Sequence, residues 1–115
     1  MNRPDVGTEM WDVVEHLYYI PGRAYPLKEF CVCKVFVRGY FKGRYISIDV
    51  SDRKTPRRYS LTEIGKRLFF TAREAALYAK QLSDEEDLVL RRFREPPVRR
   101  TWEKFLQEGV MTDAM

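Results

Sequence analysis

The fold is decided by residues 64–79, which have the sequence IGKRLFFTAREAALYA. Within it, Leu68–Phe70 is a short apolar run of the kind that ends a strand. Thr71 then changes the period, because its hydroxyl can accept the amide hydrogen three residues on while Glu74 reaches back to the amide of Thr71. No Gly or Pro follows from Ala72 to Leu82. The stretch therefore predicts a strand that leads directly into a capped helix.

Length and composition predict one folded domain. The chain has 115 residues, 44% of them hydrophobic and 14% aromatic, which is typical of a folded domain rather than a disordered segment. Its net charge of +4 suits nucleic acid or an acidic protein surface and argues against a DNA mimic, which would be acidic. Because no apolar run approaches the roughly 20 residues that span a bilayer and the N-terminus lacks a signal peptide's apolar centre, we expect a cytoplasmic protein with reduced cysteines.

The residues before this stretch predict an antiparallel sheet. Residues 10–20 fit a helix or a strand, and the turn at Pro21-Gly22 favours a strand over Val13–Ile20. Lys42-Gly43 predicts a hairpin turn. Three further strand candidates are Phe30–Phe41, Tyr45–Val50 and Arg58–Leu61.

The longest of these strands is apolar on both faces. Strict alternation places Phe36 and Tyr40 on one face, and Val37 and Phe41 on the other. This pattern predicts a central strand, or one that bends so that each half buries a different face, with Gly39 as a bend or bulge. Such bending closes small barrels.

The C-terminal third predicts more helix. Ser83 is placed either to end the first helix or to cap a second, and Pro96-Pro97 interrupts the pattern. Thr101–Gly109 is typical of a short amphipathic helix capped by Thr101. Its apolar edge, at Trp102, Phe105 and Leu106, either docks on the protein's own core or forms a patch for a partner or a second copy. We expect residues 1–82 to form a sheet with its capping helix, and residues 83–115 a helical extension of the same domain.

The middle of the chain also resembles a known group of proteins. A turn after Tyr18-Tyr19-Ile20, a long strand, a Gly hairpin and the pattern Ile-Gly-Lys-x-Leu-Phe-x-Thr-x-x-Glu-Ala over residues 64–75 are similar to small proteins carried by phages and mobile elements of Gram-positive and gut bacteria. The resemblance covers roughly residues 14–82. It implies an SH3-like sheet joined to a helix, and an origin shared with inhibitors of host defence, anti-CRISPR proteins among them. We therefore expect an α+β fold: a strongly bent antiparallel sheet, an SH3-like small barrel, followed by two to three helices.

Few residues suggest catalysis or metal binding. Cys31 and Cys33 could supply two thiol ligands, but a structural zinc site needs about four ligands and His16 is the only other soft candidate; two small buried hydrophobes is the simpler interpretation. His16 lacks the nucleophile and orienting carboxylate of an acid–base site, Asp12 four residues before it being weak support. No phosphate loop, nucleophile elbow or zinc-protease motif occurs. We expect no enzyme, no cofactor and no metal.

The basic residues are the strongest functional pattern. Between residues 38 and 73 the chain has ten Lys or Arg and three Asp or Glu, a net charge of +7. Tyrosines are interleaved and could stack on bases; solubilising charge on loops is the alternative. The candidate partner-binding or nucleic-acid-binding residues are Arg38, Lys42, Arg44, Tyr45, Arg53, Lys54, Arg57, Arg58, Tyr59, Lys66 and Arg67.

Two functions compete on these observations. The resemblance implies a non-catalytic binding protein that inhibits a host defence nuclease or nucleoprotein complex. The basic face alone predicts a small nucleic-acid-binding module, whose affinity falls with salt. Either protein could act as a homodimer, and neither requires a membrane.

Overall fold

Five strands and one long helix form the structure, a computed structural model that describes residues 3–22, 24, 26–50 and 56–107. Its elements are β1 (Glu9–Tyr18), β2 (Leu27–Phe41), β3 (Tyr45–Val50), β4 (Arg57–Ser60), a 3-10 turn (Leu61–Glu63), β5 (Leu68–Phe69) and α1 (Ala72–Arg92). The α+β class and the antiparallel sheet are confirmed, and residues 10–18 form a strand rather than a helix.

The sheet is open, so the strongly bent, SH3-like small barrel is wrong. Its strand order is β4-β3-β2-β1-β5, which places β4 and β5 at opposite edges of the sheet. β5 has only two residues, paired with Trp11 and Asp12, and therefore offers too few backbone groups to close the sheet onto β4. Leu61 and Ile64, in the connection between those edges, pack against the sheet's core instead.

The junction at residues 68–74 agrees with its prediction. Phe69 ends β5, and the Thr71 hydroxyl accepts the amide hydrogen of Glu74 at 3.1 Å. The Thr71 hydroxyl donates in turn to Glu74 Oε1 at 3.0 Å, so the carboxylate meets the hydroxyl rather than the predicted backbone amide. The cap satisfies one of the orphan donors at the start of α1.

α1 continues through Ser83, which neither ends it nor caps a second helix. The Ser83 side chain is fully buried; its hydroxyl donates to the carbonyl of Ala79 at 2.7 Å and accepts the indole N–H of Trp102 at 3.0 Å. This back-bonding satisfies the hydroxyl inside the helix. The helix runs unbroken from Ala72 to Arg92.

Two apolar clusters lie on opposite faces of the sheet. The first contains Met10, Val35, Val37, Ile46, Ile48 and Leu68. The second contains Phe30, Ala76, Ala79, Val98 and Trp102, and it packs under α1. β2 contributes to the second cluster through its first half and to the first through its second half. The prediction that each half of this strand buries a different face is therefore confirmed.

The segment after α1 docks back on the protein. Arg100 binds Asp84 at 2.9 Å and Asp87 at 2.6 Å, and Trp102 is 2% exposed. The Thr101 hydroxyl donates to the buried carboxylate of Glu29, and the helical residues begin at Glu103, so Thr101 does not stand immediately before the helix as predicted. Residues 103–107 are helical, and the predicted end of that helix at Gly109 lies outside the described residues. Of the two alternatives for the Trp102 edge, docking on the protein's own core is confirmed.

No helix in the described part of the chain is long and apolar enough to cross a membrane.

Candidate nucleic-acid interface

Among the residues that the structure describes, no helix covers one half of one face of the sheet. α1 packs against β1, β2 and β5, and it has few or no contacts with β3 and β4. The uncovered half consists of the second half of β2 together with β3 and β4. The pairing of residues between neighbouring strands shows which side chains lie on this uncovered face, because residues opposite each other share a face.

Three aromatic side chains point out of this uncovered half. Phe41 lies directly opposite Tyr45, and Phe36 lies opposite Asp49, all on the face away from Ile46 and Ile48. Phe36 is 43% exposed, Phe41 41% and Tyr45 37%. Large aromatic rings this exposed on a sheet are available for stacking with a partner.

Phe41 reaches this face because β2 has a bulge before it. The pairing shifts between Val37 and Gly39, which leaves Arg38 as the extra residue. The bulge reverses the alternation after it, so Tyr40 packs on the first cluster and Phe41 points outward. The strict alternation that placed Tyr40 with Phe36 is therefore wrong for the end of the strand.

Four cationic side chains surround the rings. The guanidinium carbon of Arg58 lies 4.3 Å from the centre of the Phe41 ring, and Lys42 Nζ lies 5.3 Å from it. Neither cation forms an ion pair with a described carboxylate. Arg38 Nη1 meets Asp49 Oδ1 at 3.5 Å, the long end of the hydrogen-bond range. We call the surface made by Phe36, Phe41, Tyr45, Lys34, Arg38, Lys42 and Arg58 the open sheet face.

Lys34 forms the border of the open sheet face towards the helices. Its ammonium lies 3.0 Å from Glu9 Oε1 and 5.5 Å from the centre of the Trp11 ring. The face therefore has four cations against the two carboxylates of Glu9 and Asp49. Its net charge is positive, and every ion pair in it is exposed and weak.

Arg57 and Tyr59 lie on the other side of the sheet. Arg57 Nη1 donates to Asp12 Oδ2 at 2.7 Å, and the Tyr59 hydroxyl donates to Asp12 Oδ1 at 2.8 Å. Asp12 is fully buried. Burial, together with the Asp12 carboxylate, raises the pKa of Tyr59 well above its usual value, so the phenol stays protonated and donates. These two residues satisfy a buried carboxylate and are not available to a ligand.

The remaining predicted residues are dispersed. Arg44 is exposed in the hairpin turn, and Arg67 pairs with Glu63 at 3.3 Å. Lys66 lies beside Phe69, at the edge of the sheet opposite to β4. Arg53 and Lys54 lie outside the described residues. The structure thus brings together Arg38, Lys42, Tyr45 and Arg58, and it separates them from Arg57, Tyr59, Lys66 and Arg67.

Sequence reasoning missed Phe36, Phe41 and Lys34 as members of this surface. Alternation within β3 separates Tyr45 from Ile46 and Ile48, and the observed pairing of Arg58 with Ser47 adds Arg58 to the face of Tyr45. Alternation was insufficient for β2, because the position of the bulge within that strand decides where Phe41 points.

The cysteines and the histidine do not converge on a metal site. Burial, followed by the nearby Glu29 carboxylate, raises the pKa of Cys31 to about 12, which keeps its thiol protonated. His16 is exposed and its ring contacts Tyr18 edge-on. Within the ranges that the structure describes, no three His, Cys, Asp or Glu side chains come close enough to hold a metal ion.

A concave surface lies at the C-terminal end of α1. It is a largely apolar groove of about 380 Å³ whose lining includes Leu17, Pro26, Leu90, Phe93 and Pro96, with the Lys28–Glu86 ion pair at its edge. Its lining is apolar where the open sheet face is cationic. Phosphate recognition therefore favours the open sheet face.

Comparisons of the chain with known protein families, with curated proteins and with solved structures found no match.

Proposed function

We propose that this protein is a non-catalytic binding protein that contacts nucleic acid, either free or within a nucleoprotein complex, through the open sheet face. The observation that carries the proposal is that three exposed aromatic side chains share one half of a sheet face with four cations, two of which lie over the Phe41 ring. Cations attract phosphates, and aromatic rings offer surfaces on which bases stack.

The arrangement of charge supports nucleic acid over an acidic protein surface. Lys42 and Arg58 have no described carboxylate to neutralise them, yet both lie close to the Phe41 ring. A cation beside an exposed ring suits a ligand that presents a phosphate and a flat base together. An acidic protein surface offers carboxylates to the cations but no flat bases to stack on the rings.

Inhibition of a host defence nuclease or nucleoprotein is the biological role that the resemblance to phage and mobile-element proteins favours. In that role, the open sheet face would contact the guide RNA of the complex. A chain with a net charge of +4 disfavours the alternative of imitating DNA. The junction in which β5 leads directly into a capped helix is the part of the resemblance that this proposal uses, because the sheet itself is open rather than SH3-like.

The proposal is tested by fluorescence anisotropy with labelled RNA and DNA, single-stranded and duplex, at low and physiological salt. The test variant is Arg58→Ala combined with Lys42→Ala, and the matched control is Lys66→Ala combined with Arg67→Ala, two cations at the opposite edge of the sheet. We expect salt-sensitive binding whose log–log salt slope falls by about 1 for each cation removed from the open sheet face.

Two outcomes would contradict the proposal. One is the absence of binding to any of the nucleic acids at low salt. The other is an equal loss of affinity in the control variant, which would show that net charge, and not the open sheet face, accounts for binding.

A further inference from the structure

We infer that the ligand of the open sheet face is single-stranded, and that it lies along β2 with unpaired bases stacked at two positions, Phe36 and the Phe41–Tyr45 pair. This inference rests on the proposed function and adds to it the strandedness, the direction and the footprint of the ligand.

The spacing of the rings sets the footprint. Phe41 lies five positions after Phe36 in β2, and at about 3.3 Å per residue, with some shortening by the bulge, the two rings are attached roughly 13–16 Å apart. A stacked strand rises about 3.4 Å per nucleotide, so this distance corresponds to roughly four or five nucleotides. An extended strand covers it with fewer.

The two ends of the surface differ in their chemistry. Phe36 is an isolated ring whose cross-strand partners are the carboxylate residues Glu9 and Asp49. At the other end Phe41 lies against Tyr45 across the strands, with the Arg58 guanidinium over its ring. A base at that end can stack on Tyr45 or on the guanidinium itself, because arginine planes stack on bases as rings do.

Arg38 supplies the charge between the two ends. As the extra residue of the bulge it lies between Phe36 and Phe41 in the chain, and its side chain is exposed. Its contact with Asp49, at 3.5 Å, is weak enough to exchange for a phosphate. The bulge thus places one movable cation where the backbone of a strand lying along β2 would pass.

Duplex nucleic acid cannot use the rings. Its base faces are stacked inside the helix, so a duplex meets the open sheet face through phosphates alone. Only the cations would then contribute, whereas a single strand adds stacking at both aromatic positions. Selectivity for single strands should therefore depend on Phe36, Phe41 and Tyr45, and duplex affinity should not.

The test compares a labelled single-stranded RNA with its duplex on the full-length protein. Phe36→Ala and Phe41→Ala are the test variants; Phe70→Ala is the matched control, since Phe70 is 48% exposed and follows β5 at the opposite edge. We expect each test variant to lose roughly 5- to 100-fold in single-strand affinity and to leave duplex affinity unchanged. Because these rings are exposed, the variants should fold, which urea denaturation verifies.

A conservative substitution separates stacking from general apolar contact. Phe36→Trp keeps a flat ring and should retain single-strand affinity, whereas Phe36→Leu keeps apolar area without the ring and should lose it. A series of oligonucleotides of increasing length should gain affinity steeply up to about five nucleotides and slowly beyond.

The remaining outcomes distinguish this inference from the proposed function. Equal binding of duplex and single strands, unaffected by the loss of either ring, would refute stacking while leaving a phosphate-binding surface. Absence of binding to all nucleic acids would refute both. If, in that case, sedimentation showed a dimer that Phe36→Ala dissociates, a second copy of this chain would be the occupant of the open sheet face.

Discussion

Arg57 and Arg58 are neighbours in the chain, yet their side chains lie on opposite faces of the sheet. Arg57 binds the buried carboxylate of Asp12, and Arg58 lies over the exposed ring of Phe41. Replacing each arginine separately by alanine removes the same side chain from the same strand. We expect Arg57→Ala to lower the free energy of unfolding with little effect on nucleic-acid affinity. We expect Arg58→Ala to weaken nucleic-acid binding with little effect on stability.

The magnitudes follow from the contacts each guanidinium makes. Loss of Arg57 leaves Asp12 fully buried and bound by the Tyr59 hydroxyl without the 2.7 Å charged hydrogen bond. Breaking a buried pair costs about 3–5 kcal/mol, but the Arg57 side chain is 30% exposed, so we expect about 2–3 kcal/mol, in the range of one hydrogen bond to a charged group. Loss of Arg58 removes one exposed cation–π contact, which contributes about 0.5–1 kcal/mol.

Urea denaturation of the two variants measures this difference. A gap of about 2 kcal/mol corresponds to a difference in midpoint of about 1 M urea for a domain of this size. Anisotropy with single-stranded RNA provides the second measurement, in which only Arg58→Ala should weaken binding. Equal midpoints, or a larger loss of affinity in Arg57→Ala at protein concentrations where both variants are folded, would refute the assignment of the two arginines to opposite faces.

Three further predictions concern the rest of the fold. Trp102→Ala should lower the free energy of unfolding by about 3–5 kcal/mol, measured by urea denaturation, because the indole is 2% exposed in the second cluster; a loss below about 1 kcal/mol would contradict the docking of the C-terminal segment. Although burial raises the pKa of Glu29, hydrogen bonds led by the Thr101 hydroxyl lower it overall below the usual 4.5, so its stabilising contribution should be complete above that pH and lost as the pH falls through the lower value of the folded state. Urea denaturation at a series of acid pH values should show a smaller loss of stability in Glu29→Gln than in the unmodified protein. An equal pH dependence of stability in the two proteins would refute this role of Glu29. Burial raises the pKa of Cys31 to about 12. In a Cys33→Ser variant, the Cys31 thiol should therefore resist alkylation by iodoacetamide at about pH 8 until urea unfolds the protein. Rapid labelling of the folded variant would contradict this prediction.

Local chemistry made the junction at residues 68–74 predictable from sequence. A short apolar run followed by Thr71 and Glu74 specifies a strand end and a helix start through contacts within four residues. The strand at Tyr45–Val50 was predictable for a similar reason, because alternation and turn residues act locally. The first strand was predicted as a strand but over Val13–Ile20, whereas it runs from Glu9 to Tyr18.

The predictions that failed depend on contacts that are distant in sequence. Ser83 has the chemistry of a cap, but the indole of Trp102, 19 residues away, satisfies its hydroxyl inside a continuous helix. Closure of the sheet requires its two edge strands to meet, and β4 and β5 lie at opposite edges, with β3, β2 and β1 between them. Neither fact is encoded in a short window of sequence.

The position of one bulge determines which aromatic rings the second half of β2 exposes. Without the extra residue at Arg38, Phe41 would join Val37 in the first cluster and Tyr40 would point outward. With it, Tyr40 packs on the first cluster, and the Phe41 ring lies opposite Tyr45 with the Arg58 guanidinium over it. The bulge therefore exchanges one ring packed on the core for another and leaves the apolar ring of Phe41 exposed next to cations. The same bulge that defeats prediction from alternation is the feature that places Phe41 on the open sheet face, the surface through which we propose that the protein binds.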